Sequence, residues 1–246
     1  MFVEVNNLSL LFKVKDIDST FLRKNLLKKI LNKNSKANNL WALKNINFNL
    51  NKGDRMGIIG TNGSGKSTLI KTLSGILSPV EGSKISIQGK FVPIIEPWGL
   101  AEITDSLENN IFLIGLILGF KKNDIKRNLE KILKFSDLED KKVYQFSSLS
   151  TGMKLRLVFA IVFIMGSQIF FMDEFLTTGD EKFRNKVIKH LNDISQDIIT
   201  VICSHERKLI QDFCNKILVL EKGEQIYFGD IDKGFEIYNN LTINNI

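Results

Sequence analysis

The spacing of apolar and polar residues changes period several times along the chain, and each change marks an element. Val3–Leu11 reads as a β segment, and Ala42–Leu50 places Leu43, Ile46, Phe48 and Leu50 as a half-buried strand does. After the turn Asn51-Lys52-Gly53-Asp54, Met56–Ile59 is a short buried strand. A glycine-rich loop over Gly60–Ser67 leads into a helix over Ser67–Leu77, stopped by Ser78-Pro79. Ser83–Gln88 alternates again, and Phe91–Ile95 is another apolar strand. The period then becomes helical from Pro97 to Gly166, with Ile111–Leu118, Ile125–Phe135 and Leu155–Met165 as its clearest pieces. Beyond it, strands at Ile169–Met172, Ile198–Cys203 and Ile217–Leu220 alternate with helices at Glu181–Ser195 and Arg207–Asn215. Such alternation predicts an α/β fold, a mostly parallel sheet covered by helices on both faces. The stretch of about 97–166 reads as an inserted helical subdomain.

The totals narrow this only a little. The 246 residues, 43% apolar and 25% charged, suit a globular chain able to bury a sizeable core. Ile111–Phe120 and Leu157–Met172 are uncharged runs, but both are shorter than the ~20 residues a spanning helix needs. The second is also interrupted at Gly166-Ser167-Gln168, so no transmembrane segment is expected. The first residues lack a basic region followed by an apolar stretch, so no signal peptide is expected either. Cys203 and Cys214 do not form a metal-type pair, which points to a reducing compartment, and two histidines are too few for a His-rich metal site.

The net charge of +7 is concentrated. Lys13, Lys15, Arg23, Lys24, Lys28, Lys29, Lys33 and Lys36 face only Asp16 and Asp18 in the same segment, which leaves the remainder nearly neutral. No broad basic footprint exists, so nucleic acid is not an expected partner. Within this insertion of about 13–39, Phe21–Leu31 sets Leu22, Leu26, Leu27, Ile30 and Leu31 on one helical side and Lys24, Lys28 and Lys29 on the other. A basic amphipathic helix over about 20–31 either meets an anionic membrane surface or a membrane partner, or lies on its own domain with a solvated lysine face.

Gly60-Thr61-Asn62-Gly63-Ser64-Gly65-Lys66-Ser67-Thr68 fits G-x-x-x-x-G-K-[ST] between a strand and a helix. Glycines there let successive backbone N–H groups turn toward phosphate oxygens, and the helix N-terminus adds partial positive charge. In such a loop Lys66 reaches the β- and γ-phosphates of ATP and the Ser67 hydroxyl ligates Mg2+. Ile169-Phe170-Phe171-Met172-Asp173-Glu174 ends an apolar strand in two carboxylates. Alone this is equally a solvated pair at a strand exit. With the phosphate loop upstream, Asp173 becomes a Mg2+ holder and Glu174 the group that orients or deprotonates the attacking water.

Leu149-Ser150-Thr151-Gly152-Met153 opens a helix, with Ser150 as its N-cap. Its position before the acid pair resembles the signature loop of the ABC-transporter ATPases, which usually reads L-S-G-G-Q, and the resemblance runs from Val3 to Asp230. It implies a P-loop ATPase working as a homodimer, in which Ser150 and Gly152 of one copy cap the γ-phosphate held by the other copy's Gly60–Thr68. It also implies that His205 contacts the γ-phosphate, that Gly179 and Asp180 form a dimer-contact loop, and that Phe12, or alternatively Trp41, stacks on adenine. Where the family usually carries a glutamine contacting Mg2+, this chain has Glu96, with Glu102 as another candidate. His190, among Lys186 and Lys189, reads as a surface residue.

Thr151, Met153 and the run Thr177-Thr178-Gly179-Asp180 depart from the usual pattern and look like the polysaccharide-export branch, which moves O-antigen, capsule or teichoic-acid chains. Leu40–Lys44 and Asp173–Asp180 are similar to that branch. The resemblance implies one nucleotide-binding domain over 1–246, peripheral on the cytoplasmic face of the plasma membrane and driving a separate permease of about six spans, each of about 20 residues. A drug or lipid exporter, or an ABC ATPase acting outside transport, are the rival readings. The chain ends shortly after Gly229-Asp230, so substrate choice is expected to lie elsewhere.

Overall fold

A computed structural model describes residues 1–14, 38–94, 105–173 and 181–243. The basic helix of about 20–31, Glu96, Glu102, Glu174, Gly179 and Asp180 lie outside the described residues. The strands are β1 (Phe2–Val14), β2 (Asn38–Asn51), β3 (Arg55–Gly60), β4 (Lys84–Gln88), β5 (Phe91–Ile94), β6 (Ile169–Asp173), β7 (Ile199–Cys203), β8 (Lys216–Glu221) and β9 (Glu224–Gly229). The helices are α1 (Lys66–Leu73), α2 (Leu107–Ile117), α3 (Lys122–Ser136), α4 (Thr151–Ile164), α5 (Glu181–Asp193), α6 (Arg207–Phe213) and α7 (Ile231–Ile243).

The sheet runs in the order β4-β1-β2-β9-β8-β3-β7-β6-β5. Its β8-β3-β7-β6-β5 half is parallel, as the alternation of strands and helices requires. The other half adds antiparallel pairs to the expected parallel ones, β1 with β2 and β4 and β8 with β9, while β2 and β9 run parallel. Of these pairs β8–β9 is joined by a short turn, whereas β1 meets β2 and β4 across long stretches of chain; antiparallel neighbours need no helical crossover.

Side-chain alternation in the parallel half feeds two cores. Phe170 and Met172 of β6 face a cluster with α2, α3, α4 and α5, whereas Ile169 and Phe171 face a second cluster. That second cluster holds α1, through Leu69, Ile70 and Leu73, between the parallel strands and β1–β2. A strand buried on both faces reads as a continuous apolar run, which is why β6 and β7 were legible.

One helix boundary moves by a full turn. The helix α1 ends at Leu73 rather than Leu77, because Gly75 at φ 75° closes it, with Gly75 N–H on Thr72 O at 3.1 Å and Ile76 N–H on Lys71 O at 2.9 Å. The helix α4 begins at Thr151, directly after Ser150, the N-cap the sequence leads one to expect. Neither β9 nor α7 was foreseen; Lys222 and Gly223 take φ of 48° and 82° and make the two-residue turn into β9. His190 is not on the surface as expected. It is half-buried, with its ring centroid 5.4 Å from Phe135 and 4.8 Å from Phe163. Cys203 and Cys214 are buried, and burial pushes the Cys214 thiol up to about 12.

Candidate nucleotide site

The site is built where β3 ends. Gly63 and Gly65 sit at φ of 78° and 104°, and a Cβ on Gly65 would stand 2.9 Å from Ala42 O. Only glycine lets the loop take this path so close to β2. Gly65 is the N-cap of α1, so the loop delivers its amides at a helix N-terminus, where the dipole favours anions. Lys66 is buried, and its Nζ donates to Gly60 O at 2.9 Å and Thr61 O at 3.1 Å. The ammonium is thereby held across the mouth of the loop.

Ser67 Oγ donates to Asp173 Oδ1 at 3.0 Å. Asp173 is the last residue of β6, in register with Cys203 of β7, which is itself in register with Ile58 of β3. The carboxyl ends of three parallel strands thus converge on the loop, as expected for a ligand crevice. His205, exposed and two residues beyond β7, lines the same cavity as Lys66 and Ser67.

That cavity measures about 490 Å3. Its lining combines the loop residues Asn62, Gly63, Gly65, Lys66, Ser67 and Thr68 with Phe12, Leu40, Trp41 and Ala42 of β1 and β2. Phe12 and Trp41 are 39% and 44% exposed, so both present ring surface to a ligand rather than to the core. They come from the paired ends of β1 and β2, where Leu11 is opposite Trp41 and Phe12 opposite Leu40. The structure brings Phe12, Gly63, Gly65, Lys66, Ser67, Thr68, Asn62 and His205 together around one space, with Gly60, Thr61 and Ser64 completing the loop.

Lys222 and Gly223 line this cavity too and were not foreseen. Gly223 N–H donates to Ser64 O at 3.0 Å, and Lys44 N–H to Gly223 O at 2.7 Å. The Lys-Gly pair inside Glu221–Glu224 is a hairpin signal, but nothing in its own neighbourhood says that it reaches the phosphate loop.

Leu149, Ser150, Thr151, Gly152 and Met153 stand apart from this cavity. Leu149 is buried and Met153 packs on the core. Ser150 is exposed, and its Oγ accepts from Met153 N–H at 3.3 Å as the N-cap of α4. Nothing approaches the open side of Gly152 within 4 Å.

Residues 43–177 match the ABC transporter family. The chain belongs to that family. It is an ABC ATPase, with the P-loop fold that the sequence led us to expect. The chain is 38% identical to the O-antigen export system ATP-binding protein of Yersinia enterocolitica over 183 residues, 74% of this chain and 76% of that protein. It is 30% identical to the teichoic acids export ATP-binding protein of Staphylococcus haemolyticus, over 97% of this chain and 88% of the relative. With the corresponding Bacillus cereus protein it shares 36% identity over 78% of this ABC chain but only 35% of the relative's length. Among solved structures, a dimeric ATP-binding cassette bound to ADP and Pi superposes with a TM-score of 0.73 at 18% identity, covering 93% of this chain and 98% of that one. The ATP-binding subunit of an ABC transporter superposes equally, at 20% identity over 97% and 94% of the two chains.

Proposed function

We propose that this ABC ATPase hydrolyses ATP at two composite sites of a homodimer and drives a membrane-embedded permease that exports a polysaccharide or lipid-linked glycan. The observation that carries the reading is a cavity lined together by the cationic phosphate loop and the aromatics Phe12 and Trp41, with Ser67 of that loop hydrogen-bonded to Asp173. In it a triphosphate would sit at Lys66 and a base at Phe12 or Trp41. The relatives named for O-antigen and teichoic acid export supply the substrate class.

In this reading the amides of Gly60–Thr68 and Lys66 bind the β- and γ-phosphates, exchanging Lys66's two carbonyl partners for phosphate oxygens. A hydroxyl and a carboxylate 3.0 Å apart form a hard-oxygen donor set that fits Mg2+. Ser67 and Asp173, with Glu96, would hold the ion, which when bound neutralises developing phosphate charge. Glu174 orients the attacking water, and His205 contacts the γ-phosphate. Leu149–Met153 of the second copy close over it, with Ser150 and the open face of Gly152 presented outward, while Gly179 and Asp180 meet their counterparts. We assign residues 1–246 to one nucleotide-binding domain with a helical subdomain at about 97–166. Among the described residues no helix is long and apolar enough to cross a membrane. That agrees with a peripheral subunit on the cytoplasmic face, bound to a permease of about six spans and touching lipid through the basic helix of about 20–31.

The Glu174→Gln chain tests this. It should bind ATP as the native chain does, accumulate as a dimer in size-exclusion chromatography with ATP, and cease turnover. Turnover at the native rate would remove Glu174 from the mechanism. Co-purification with a polytopic membrane protein, and loss of labelled glycan export when the pair is deleted, test the transport half.

A further inference from the structure

Helix α3 ends on Asp137, which adopts the left-handed conformation at φ 55° that usually falls to glycine. Its amide and that of Leu138 close the helix on Lys134 O and Leu133 O. A non-glycine residue held in this region is a reason to ask what its side chain does. Here the carboxylate is shared between two other helices. Oδ1 accepts from Lys186 Nζ of α5 at 2.9 Å, and Oδ2 lies 3.7 Å from the Arg156 guanidinium of α4. Lys186 Nζ also donates to Phe135 O at 2.7 Å, at the negative end of the α3 dipole. Below this polar latch, the Phe135 ring meets Phe163 of α4 at 5.8 Å and Phe183 of α5 at 6.4 Å, both edge-on.

The position of α4 and α5 in the chain gives the latch its meaning. The signature residues Ser150–Met153 start α4, and α5 follows directly on the Asp173–Asp180 stretch that holds the acid pair. We propose that Asp137 is a positioning residue for ATP hydrolysis, its carboxylate latching the signature helix to the helix that follows the catalytic acid stretch. This rests on the composite-site reading above. The two ion pairs are partly exposed, at side-chain exposures of 49% for Asp137, 35% for Lys186 and 19% for Arg156. Such pairs are individually weak. A weak, two-sided latch over an aromatic bearing suits a joint that holds register in one state and lets go in another.

Asp137→Gly keeps the left-handed backbone and removes the carboxylate; Asp137→Glu restores a carboxylate one methylene longer; Lys186→Met removes one partner. In the full chain, single-copy ATP affinity should change less than twofold in Asp137→Gly. The protein concentration giving half-maximal ATPase activity should rise by roughly fivefold, the scale of one weak ion pair. Lys186→Met should reproduce that shift, and Asp137→Glu should recover part of it. An unchanged midpoint in both Asp137→Gly and Lys186→Met overturns the proposal. Amide exchange of the ATP-free chain scores the latch separately: exchange in the first turns of α4 and along α5 should rise together in Asp137→Gly, and no rise in either helix overturns it whatever the dimer does. Failure of Glu174→Gln to dimerise with ATP would strike the composite-site reading alone, leaving the exchange result to judge the latch.

Discussion

Gly223 N–H donates to Ser64 O at 3.0 Å, so the tip of the β8–β9 hairpin props the phosphate loop from behind. A Cβ on Gly223 would stand 2.7 Å from Ala42 O, and the residue sits at φ 82°. The hairpin, β2 and the loop therefore meet at one point where no side chain fits. Gly223→Ala should cost about 1–3 kcal/mol of stability, the usual scale of enforced backbone strain. It should also weaken ATP binding, because the loop must shift to relieve the clash. Urea unfolding and titration with a fluorescent nucleotide check the two effects.

The Ser67–Asp173 hydrogen bond ties α1 to β6, with Ser67 in the lining of the cavity. Asp173→Asn keeps the shape but removes the anionic oxygen. Turnover should fall by roughly 10- to 100-fold, as when a group supporting a metal ion is lost. ATP binding in the presence of EDTA should be unaltered. Steady-state phosphate release over a Mg2+ titration measures the first, and calorimetry in EDTA the second.

Phe12 and Trp41 both line the cavity, and truncating each one separates their roles. If Phe12 carries the base, Phe12→Ala should weaken ATP by about 1–3 kcal/mol, the range for stacking on one base, and Trp41→Ala should have a smaller effect. The reverse order would transfer the role to Trp41. Trp41 fluorescence should respond to nucleotide in the Phe12→Ala chain, provided Trp98, the second tryptophan, is replaced.

His190 packs against both Phe135 and Phe163, and desolvation there lowers its pKa, opposed by the nearby Asp193 carboxylate. A lowered pKa means that the unfolded chain takes up the proton first as pH falls. Its contribution to stability is therefore complete above the ordinary histidine pKa of about 6.5 and declines as pH drops toward the folded value. The urea midpoint should fall between pH 7 and pH 5.5, and His190→Phe should flatten that part of the slope.

Much of this protein was legible in local sequence. Gly60–Thr68 declares a phosphate loop because the positive φ angles, the helix N-terminus and the lysine all belong to nine consecutive residues. Likewise Ile169–Met172 announces a strand buried on both faces, and Asp173 its carboxyl end, because burial acts on each residue in turn. Ser150 caps α4 as its neighbours require. Other features were decided only when distant segments met. The antiparallel pairing of β1 with β2 and β4, the place of β9 beside β2, and the contact of Gly223 with Ser64 join residues far apart in sequence. His190 looks like a surface residue among lysines until α3 and α4 bring Phe135 and Phe163 against it. Asp137 likewise gains its two partners only from helices that follow it in the chain. Local rules fix what each backbone segment can do; which surfaces cover one another depends on burying apolar area across the whole chain, and that no short window of sequence contains.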